Sequence, residues 1–187
     1  YALLTRHGLP VPATLVTSDP AIARAFCEAQ PGGAVAKPLA GGAEVVWADQ
    51  AFFADHAAGM ARRPFIFQQY VKGRSMRAYL LGGRVVSMGE LEYDRSRVDW
   101  REHVTSALPH TPEEALATQM SRAVRLLDMP YCGMDVELDA HTGDAYLLDF
   151  NPSALYASWG RMVETDMAGM LADYLLGVAR GGGIWNT

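Results

Sequence analysis

The glycine pair Gly82-Gly83 is the feature that most constrains the fold, because it lies directly between two apolar runs. A two-residue glycine turn in this position is typical of a tight β-hairpin, whose strands are antiparallel. Residues 76–81 and 84–91 are the two predicted strands. Antiparallel strands mixed with helices, without a regular alternation of strand and helix along the chain, predict an α+β fold.

The rest of the chain divides into helix and strand patterns of similar clarity. Asp19-Pro20 and Thr111-Pro112 each combine a capping side chain with a proline at the first helical position, so a helix is predicted after each. Further strands are predicted over residues 13–17, 34–39, 44–48, 65–71, 131–138 and 145–151, with a hairpin turn at Gly41-Gly42. Two more helices are predicted over 50–60 and 164–179, the last with Met167, Met170, Leu171, Tyr174 and Leu175 facing inward. Residues 92–109 are charged and are interpreted as a polar loop.

Charge and composition exclude several classes of function. The 187 residues carry 16 Lys plus Arg against 21 Asp plus Glu, a net charge of −5, which is the wrong sign for a nucleic-acid surface. No apolar run approaches the roughly 18 residues that cross a membrane. Cys27 and Cys132 are far apart and lack metal-ligand spacing, so both are expected to be reduced, and the protein is expected to be cytoplasmic.

Two predicted neighbouring strands carry acidic side chains on the same face. Side chains alternate between the two faces of a strand, so Asp135 lies on the face opposite its apolar neighbours. For the same reason Asp149 and Asn151 share the face opposite their own apolar neighbours. If the intervening loop contains an odd number of residues, residue 137 pairs with 147, 135 with 149 and 133 with 151. Like charges that face each other across strands are destabilising unless a positive group lies between them. Mg²⁺ suits these oxygen donors, and Gly133 is expected to leave space for it; a solvated sheet face is the alternative.

Lys37 lies in an apolar run just before Gly41-Gly42. Its side chain either extends along the surface from an edge strand, or binds an anion such as phosphate together with glycine backbone N–H groups. Residues 68–71, at the end of a strand, have backbone groups that can read an adenine edge, and Arg77 can reach phosphate. Taken singly, each of these is more often an ordinary surface feature.

Together, these segments resemble the ATP-grasp ligases, in the order in which that superfamily uses them. The resemblance covers nearly the whole chain and is carried by Lys37 with its glycine turn, residues 68–71, Arg77, Asp99-Trp100-Arg101, Gly133-Met134-Asp135 and Asp149-Phe150-Asn151-Pro152-Ser153. It is closest to the RimK-like branch. That branch includes maturases that tie ribosomal peptides into rings, and Asp99-Trp100-Arg101 and Asn151-Pro152-Ser153 are similar to their versions of the motifs.

The resemblance implies a role for each matching position. Lys37 would contact the phosphates of ATP, and Arg77 and Arg101 would stabilise phosphate or an acyl-phosphate. The adenine hinge would comprise Gln68, Gln69, Tyr70 and Val71, and the Mg²⁺ ligands would be Asp135, Asp149 and Asn151. Residues 1–70 would form part of the central lobe and residues 71–187 the C-terminal lobe, whose antiparallel sheets grip the nucleotide. The chain starts at Tyr1 without a methionine, so an N-terminal lobe is expected upstream of it.

The predicted activity is ATP-dependent ligation of a carboxylate to an amine or hydroxyl. The substrate is expected to be a peptide or a small-molecule carboxylate, with neither nucleic acid nor a membrane as a partner, and a homodimer is left open. Two alternatives remain: a nucleotide-binding or partner-binding module with impaired catalysis, and an ATP-grasp kinase that transfers phosphate to a hydroxyl.

Overall fold

The computed structural model describes residues 1–40, 44–94, 96, 98–101 and 103–185. These residues divide into two compact units, each with one antiparallel sheet. The four-strand unit contains Pro12–Lys72 and Tyr93–Val104, and the five-strand unit contains Tyr1–Val11, Gly73–Glu92 and Thr105–Thr187. The predicted α+β class is confirmed.

Helices and strands alternate irregularly along the chain. The helices are α1 (Ala2–Arg6), α2 (Pro20–Glu28), α3 (Gln50–His56), α4 (Glu114–Leu126), α5 (Tyr156–Met162) and α6 (Met167–Ala179), with a 3₁₀ helix at Ala57–Arg62. The strands are β1 (Thr14–Thr17), β2 (Ala34–Pro38), β3 (Val46–Trp47), β4 (Phe65–Gln69), β5 (Gly73–Leu81), β6 (Arg84–Tyr93), β7 (Val104–Pro109), β8 (Tyr131–Asp139) and β9 (Ala145–Asn151).

The sheet of the four-strand unit has the order β1-β4-β2-β3. One of its faces packs against α2 and α3 through a core that includes Ala36, Phe53 and Phe67. The helix α2 begins as predicted: the Asp19 carboxylate accepts hydrogen bonds from the backbone N–H groups of Ala21 and Ile22. The predicted turn at Gly41-Gly42 lies outside the described residues.

The sheet of the five-strand unit has the order β7-β6-β5-β8-β9. Its core joins the apolar side chains of β5 and β8 to those of α4, including Met76, Met120 and Met134. The turn between β5 and β6 is confirmed: Gly82 and Gly83 both have positive φ, at 57° and 83°, which glycine adopts without steric cost.

The predicted polar loop over 92–109 is wrong for its second half, which forms β7 at the edge of the five-strand sheet. The side chains of Thr105 and Ser106 bond to the carbonyl and carboxylate oxygens of Glu92, respectively. These contacts with a partner strand cannot be read from the polar composition of the segment.

Two predicted helix starts are also wrong. The helix α4 begins at Glu114, because the backbone of Glu113, with a ψ of 150°, is not helical, and its side chain provides no cap. Glu164 has a φ of 51°, so α6 instead begins at Met167, where the Asp166 carboxylate accepts a 2.8 Å bond from the N–H of Gly169. The helix α5 was not predicted from the sequence.

The predicted inward face of α6 is only partly correct. Met167 is buried, whereas Met170 and Leu175 are exposed, as is Leu176. Because apolar residues surround most of this helix, their spacing does not select one buried face. Within the described part of the chain, no helix is both long and apolar enough to span a membrane.

The chain passes from the four-strand to the five-strand unit between Lys72 and Gly73, two residues beyond the boundary predicted at 70/71. Two segments are grouped differently: residues 1–11 pack in the five-strand unit and residues 93–104 in the four-strand unit. Identifying the units with the central and C-terminal lobes stays a prediction.

Candidate functional site

The predicted site residues fall into two groups, one in each unit. In the five-strand unit, Arg77, Asp135 and Asp149 occupy paired positions on the adjacent strands β5, β8 and β9. Asn151, two residues beyond Asp149 on β9, pairs with Gly133. The predicted pairings of 135 with 149 and of 133 with 151 are therefore confirmed.

The third predicted pairing, 137 with 147, is wrong, because β9 contains a bulge. Glu137 pairs with Tyr146 and Val136 with Leu147, so Leu148 is the extra residue that shifts the register before Asp149. The prediction obtained the pairing of 135 with 149 from an odd number of loop residues, whereas in the structure the one extra residue lies in the bulge of β9. It also places Leu147, rather than Leu148, in the core.

The positive group beside Asp135 is the guanidinium of Arg77. Its Nη1 donates to Oδ1 of Asp135, and the two side chains are only 10 % and 14 % exposed. Burial by itself would lower the pKa of Arg77, but the Asp135 carboxylate outweighs burial and raises this pKa above its usual value. The positive charge that the sequence predicted beside this acidic pair is therefore supplied, for Asp135, by Arg77 within the fold.

The structure requires glycine at position 133 for a different reason from the one predicted. A Cβ at this position would lie 2.4 Å from the Cβ of Ala154 and 2.5 Å from Nη2 of Arg77. The space that the missing side chain leaves is thus filled by Arg77 and Ala154, and the expectation of an open space above Gly133 is wrong. Glycine is needed here because the guanidinium that bonds to Asp135 lies directly over this position, where any side chain would collide with it.

Three oxygen-bearing side chains remain compatible with a hard divalent cation. Asp149 is exposed, Oδ1 of Asp135 accepts a bond from Arg77, and Oδ1 of Asn151 accepts a 2.8 Å bond from the N–H of Ser153. Carboxylate and carboxamide oxygens suit Mg²⁺, which completes its coordination with water and phosphate oxygens. Among the described residues, no group of three or more His, Cys, Asp or Glu side chains has metal-binding geometry.

In the four-strand unit, Lys37 and Gln68 lie on the sheet face opposite the helices. Val35 pairs with both Gln68 and Trp47, and Lys37 pairs with Ile66. The strand β2 lies between β4 and β3 and is therefore not an edge strand. The two residues of β3 pair only with Val35 and Ala36, however, so half-buried Lys37 is paired with β4 alone, and both readings of its side chain stay predictions.

The predicted hinge residues contact the rest of the four-strand unit. Nε2 of Gln68 donates to Oγ1 of Thr14 at 3.0 Å, and Oε1 of Gln69 accepts from the N–H of Ala13 at 3.3 Å. The N–H of Tyr70 donates to the carbonyl of Gly33 at 3.0 Å, and its ring lies 4.5 Å from that of Trp47. Val71 is buried. The side-chain amides of Gln68 and Gln69 thus attach the end of β4 to residues 13 and 14.

Arg101 is held by the buried carboxylate of Asp99. Its Nε lies 2.8 Å from Oδ1 of Asp99, its Nη2 contacts Oδ2, and its own N–H donates to Oδ1 at 3.1 Å. Oδ2 of Asp99 also accepts from the N–H of Val45 at 2.9 Å. Asp99 therefore ties Arg101, whose side chain is half exposed, to the segment that follows the Lys37 strand.

These bonds predict an acid-sensitive contribution of Asp99 to stability. Burial would raise the pKa of Asp99, but hydrogen bonds from Arg101 and Val45 reverse this effect and hold the pKa below its usual value. The ionised carboxylate therefore stabilises the fold fully above the unfolded-state pKa of about 3.9, and this contribution is lost as the pH falls through the lower folded-state pKa. We expect Asp99→Asn to lower the free energy of unfolding at pH 7 by about 1–3 kcal/mol.

Urea unfolding as a function of pH measures this effect. The difference between wild type and Asp99→Asn is expected to shrink below about pH 4, where the wild-type carboxylate becomes protonated. Asp55→Asn, which changes an exposed carboxylate in the same unit, is the control. A difference that stayed constant down to pH 2 would contradict the role of the ionised Asp99.

Several residues that build these sites were not predicted from the sequence. Asp99 was noted only within its motif, and Trp47, Tyr79 and Tyr131 were not identified as site residues. An acidic residue two positions before an arginine was an available signal for Asp99. For the aromatic residues no local signal exists, because their partners are distant in the sequence.

Comparison with solved structures identifies the fold. The chain is similar to the ATP-grasp ligase PsnB complexed with the precursor peptide PsnA2 and AMPPNP (28 % identity, TM-score 0.79) and to PsnB complexed with a phosphomimetic variant of a minimal precursor, Mg and ADP (29 % identity, TM-score 0.82). Each match covers 94 % of this chain and 55 % of the PsnB chain. The macrocyclase MdnB from Microcystis aeruginosa MRC shares the fold, with 23 % identity, a TM-score of 0.72 and coverage of 93 % and 56 %.

No protein-family model and no curated protein sequence matches the chain. It spans about half the length of the PsnB chains. Since the similarity extends over nearly all of the chain, both sheets are included in it. This chain therefore has the fold of the ATP-grasp ligases, as its motifs predicted.

Proposed function

We propose that this chain is part of an ATP-dependent ligase that joins a carboxylate of a peptide to an amine or hydroxyl. The observation that carries the proposal is the row formed by Arg77, Asp135 and Asp149 across three strands, with Asn151 beside it. The row combines a cation with oxygen donors, as the handling of Mg²⁺ and phosphate requires. The similarity to PsnB, an ATP-grasp ligase, supports the same function.

In the five-strand unit, Asp135, Asp149 and Asn151 would hold Mg²⁺, which would neutralise charge on the phosphates of ATP. Exposed Asp149 is accessible to a hydrated ion, and Asp135, which pairs with it across the strands, is oriented by its bond to Arg77. Arg77 would fix the orientation of Asp135 and stabilise developing negative charge on phosphate. Because its guanidinium is buried and paired, this charge is positioned before the substrate arrives.

In the four-strand unit, Lys37 would bind the phosphates and Arg101 the phosphate or acyl-phosphate. The half-exposed guanidinium of Arg101 is oriented by Asp99, so its charge is available at a defined place. Gln68, Gln69, Tyr70 and Val71 would form the adenine hinge. Bonds of the Gln68 and Gln69 side chains, and of the Gln69 and Tyr70 N–H groups, to other residues of the unit fix the end of β4 at which the base would bind.

The reaction would proceed in two transfers. A carboxylate oxygen of the substrate attacks the γ-phosphorus of ATP, the bond to the bridging oxygen breaks, and ADP leaves. An amine or hydroxyl then attacks the acyl carbon of the resulting acyl-phosphate, phosphate leaves with the electron pair of the broken C–O bond, and the attacking group loses its proton. The chain contributes positioning and charge neutralisation, and no side-chain nucleophile is needed.

The proposal of a peptide substrate is supported by the similar structures. PsnB was solved with precursor peptides, and the macrocyclase MdnC, which shares the fold at 18 % identity, was solved with the precursor peptide MdnA. An assignment to the RimK-like branch and to ring-forming maturases is part of the same proposal, as are a cytoplasmic location and the absence of a nucleic-acid partner.

Mass spectrometry of candidate peptides treated with MgATP and the complete protein tests this proposal. We expect ADP release and a product that has lost one molecule of water for each bond formed within the peptide. A gain of one phosphoryl group would instead identify a kinase and contradict the ligase assignment. Nucleotide binding without ADP release on any precursor peptide encoded by a neighbouring gene would favour an impaired binding module.

A further inference from the structure

Two tyrosine hydroxyls bond to consecutive backbone carbonyls just after Asn151. The hydroxyl of Tyr79 donates to the carbonyl of Leu155 at 2.7 Å, and the hydroxyl of Tyr131 donates to the carbonyl of Ala154. Both tyrosines belong to the central strands of the five-strand sheet, whereas residues 152–155 form the connection between β9 and α5. The end of the strand that carries Asp149 and Asn151 is thereby attached to the middle of the sheet.

Tyr79 is itself held rigidly. It is 3 % exposed, and its ring stacks on that of Trp159 with 5.6 Å between the centroids. The indole N–H of Trp159 donates to Oγ of Ser87 at 2.9 Å, and Ser87 pairs with Tyr79 across the hairpin. A bulge in β6 follows directly, because Leu80 pairs with Val85 and Val86 is the extra residue. Bulges next to functional sites commonly direct a side chain toward them.

The same cluster also contacts the ion pair. Cζ of Arg77 lies 5.3 Å from the ring centroid of Tyr79, and the Cβ of Ala154 packs over Gly133, where any side chain would collide with it. Tyr79 thus contacts Arg77 through its ring and its hydroxyl, and the same hydroxyl donates to the connection after Asn151. Burial raises the pKa of Tyr79, and it raises that of Tyr131 to about 12, so both hydroxyls keep their protons and remain donors at neutral pH.

We infer that Tyr79 and Tyr131 are positioning residues for the cation site, because they hold residues 152–155 and so keep Asn151 and Asp149 in register with Asp135 and Arg77. Neither tyrosine would touch the ion or the substrate. This inference rests on the proposed function for the identity of the ion, but the anchoring of the connection is a property of this chain alone. The preformed arrangement would lower the cost of ordering ligands when the ion binds.

The variants Tyr79→Phe and Tyr131→Phe each remove one hydroxyl and keep the ring. In the complete protein, we expect hydrogen exchange of amides in residues 153–155 to become about three- to tenfold faster, the effect of losing one net hydrogen bond. Binding of Mn²⁺ in the presence of ADP, followed by electron paramagnetic resonance, is expected to weaken by a similar factor. Binding of ADP without metal and the thermal midpoint are expected to change little.

Tyr174→Phe is the matched control, because the hydroxyl of Tyr174 donates to the carbonyl of Ile184, away from the connection. It is expected to leave both exchange in residues 153–155 and Mn²⁺ affinity unchanged. Unchanged exchange in Tyr79→Phe and Tyr131→Phe would overturn the inference, as would faster exchange with unchanged Mn²⁺ affinity. Neither hydrogen exchange nor Mn²⁺ binding depends on turnover. A protein that bound Mn²⁺ with ADP but ligated no peptide would therefore refute the proposed function, while these two measurements would still decide the inference about Tyr79 and Tyr131.

Discussion

Asp135→Asn is expected to lower the free energy of unfolding by about 3 kcal/mol, whereas Asp149→Asn is expected to change it by less than about 0.5 kcal/mol. The two residues are paired on adjacent strands, but their surroundings differ. Asp135 faces the buried guanidinium of Arg77, and Asp149 is exposed. Removing the charge of Asp135 leaves the positive charge of Arg77 inside the fold without the carboxylate that offsets its burial.

Urea unfolding of the two variants measures this difference, and turnover of the complete protein separates it from the metal role. Asp149→Asn is expected to fold normally yet to weaken productive MgATP binding, because a charged ligand is lost from a hard-cation site. Equal stability of the two variants would contradict the described ion pair. Turnover and magnesium dependence that matched the wild type in Asp149→Asn would instead contradict the metal site.

Lys37→Met is expected to reduce ATP-dependent turnover about 100-fold while leaving the thermal midpoint nearly unchanged. Methionine retains most of the apolar stem of lysine but not the ammonium group, so packing of half-buried Lys37 within the sheet is largely kept. The loss expected from removing one preorganised donor to a developing charge is about 10²- to 10³-fold.

Lys72→Met provides a matched control, since Lys72 is exposed and is the only other lysine in the chain. Turnover of this variant is expected to equal that of the wild type. ADP release by the complete protein measures both effects. Wild-type turnover in Lys37→Met, with an unchanged thermal midpoint, would remove the phosphate role from Lys37 and weaken the ligase proposal.

The features that could be predicted from the sequence depend on residues close to one another in the chain. Gly82-Gly83 specifies its turn because only glycine enters the left-handed region at no steric cost, and Asp19 caps α2 through N–H groups two and three residues away. Strand parity placed Asp135 and Asp149 on one face, and their pairing then required only the correct register.

The register itself depended on the tertiary structure. The loop after β8 does not by itself bring Asp135 opposite Asp149, and the bulge at Leu148 corrects the count. A bulge is stabilised by packing of the strand on its neighbours, and no short sequence pattern specified this one. The same holds for β7, whose polar residues become a strand only because β6 offers them partners.

Sequence by itself determined the fold class, the order of the motifs and the residue types that can carry phosphate chemistry, because hydrophobic periodicity, turn residues and helix caps act locally. Only the tertiary structure decided which of these side chains meet which distant charged or backbone groups. The contacts of Arg77 with Asp135, of Asp99 with Val45 and of Tyr79 with Leu155 join residues 58, 54 and 76 positions apart. Such contacts arise where chain segments pack together, and their strength depends on the burial that packing creates.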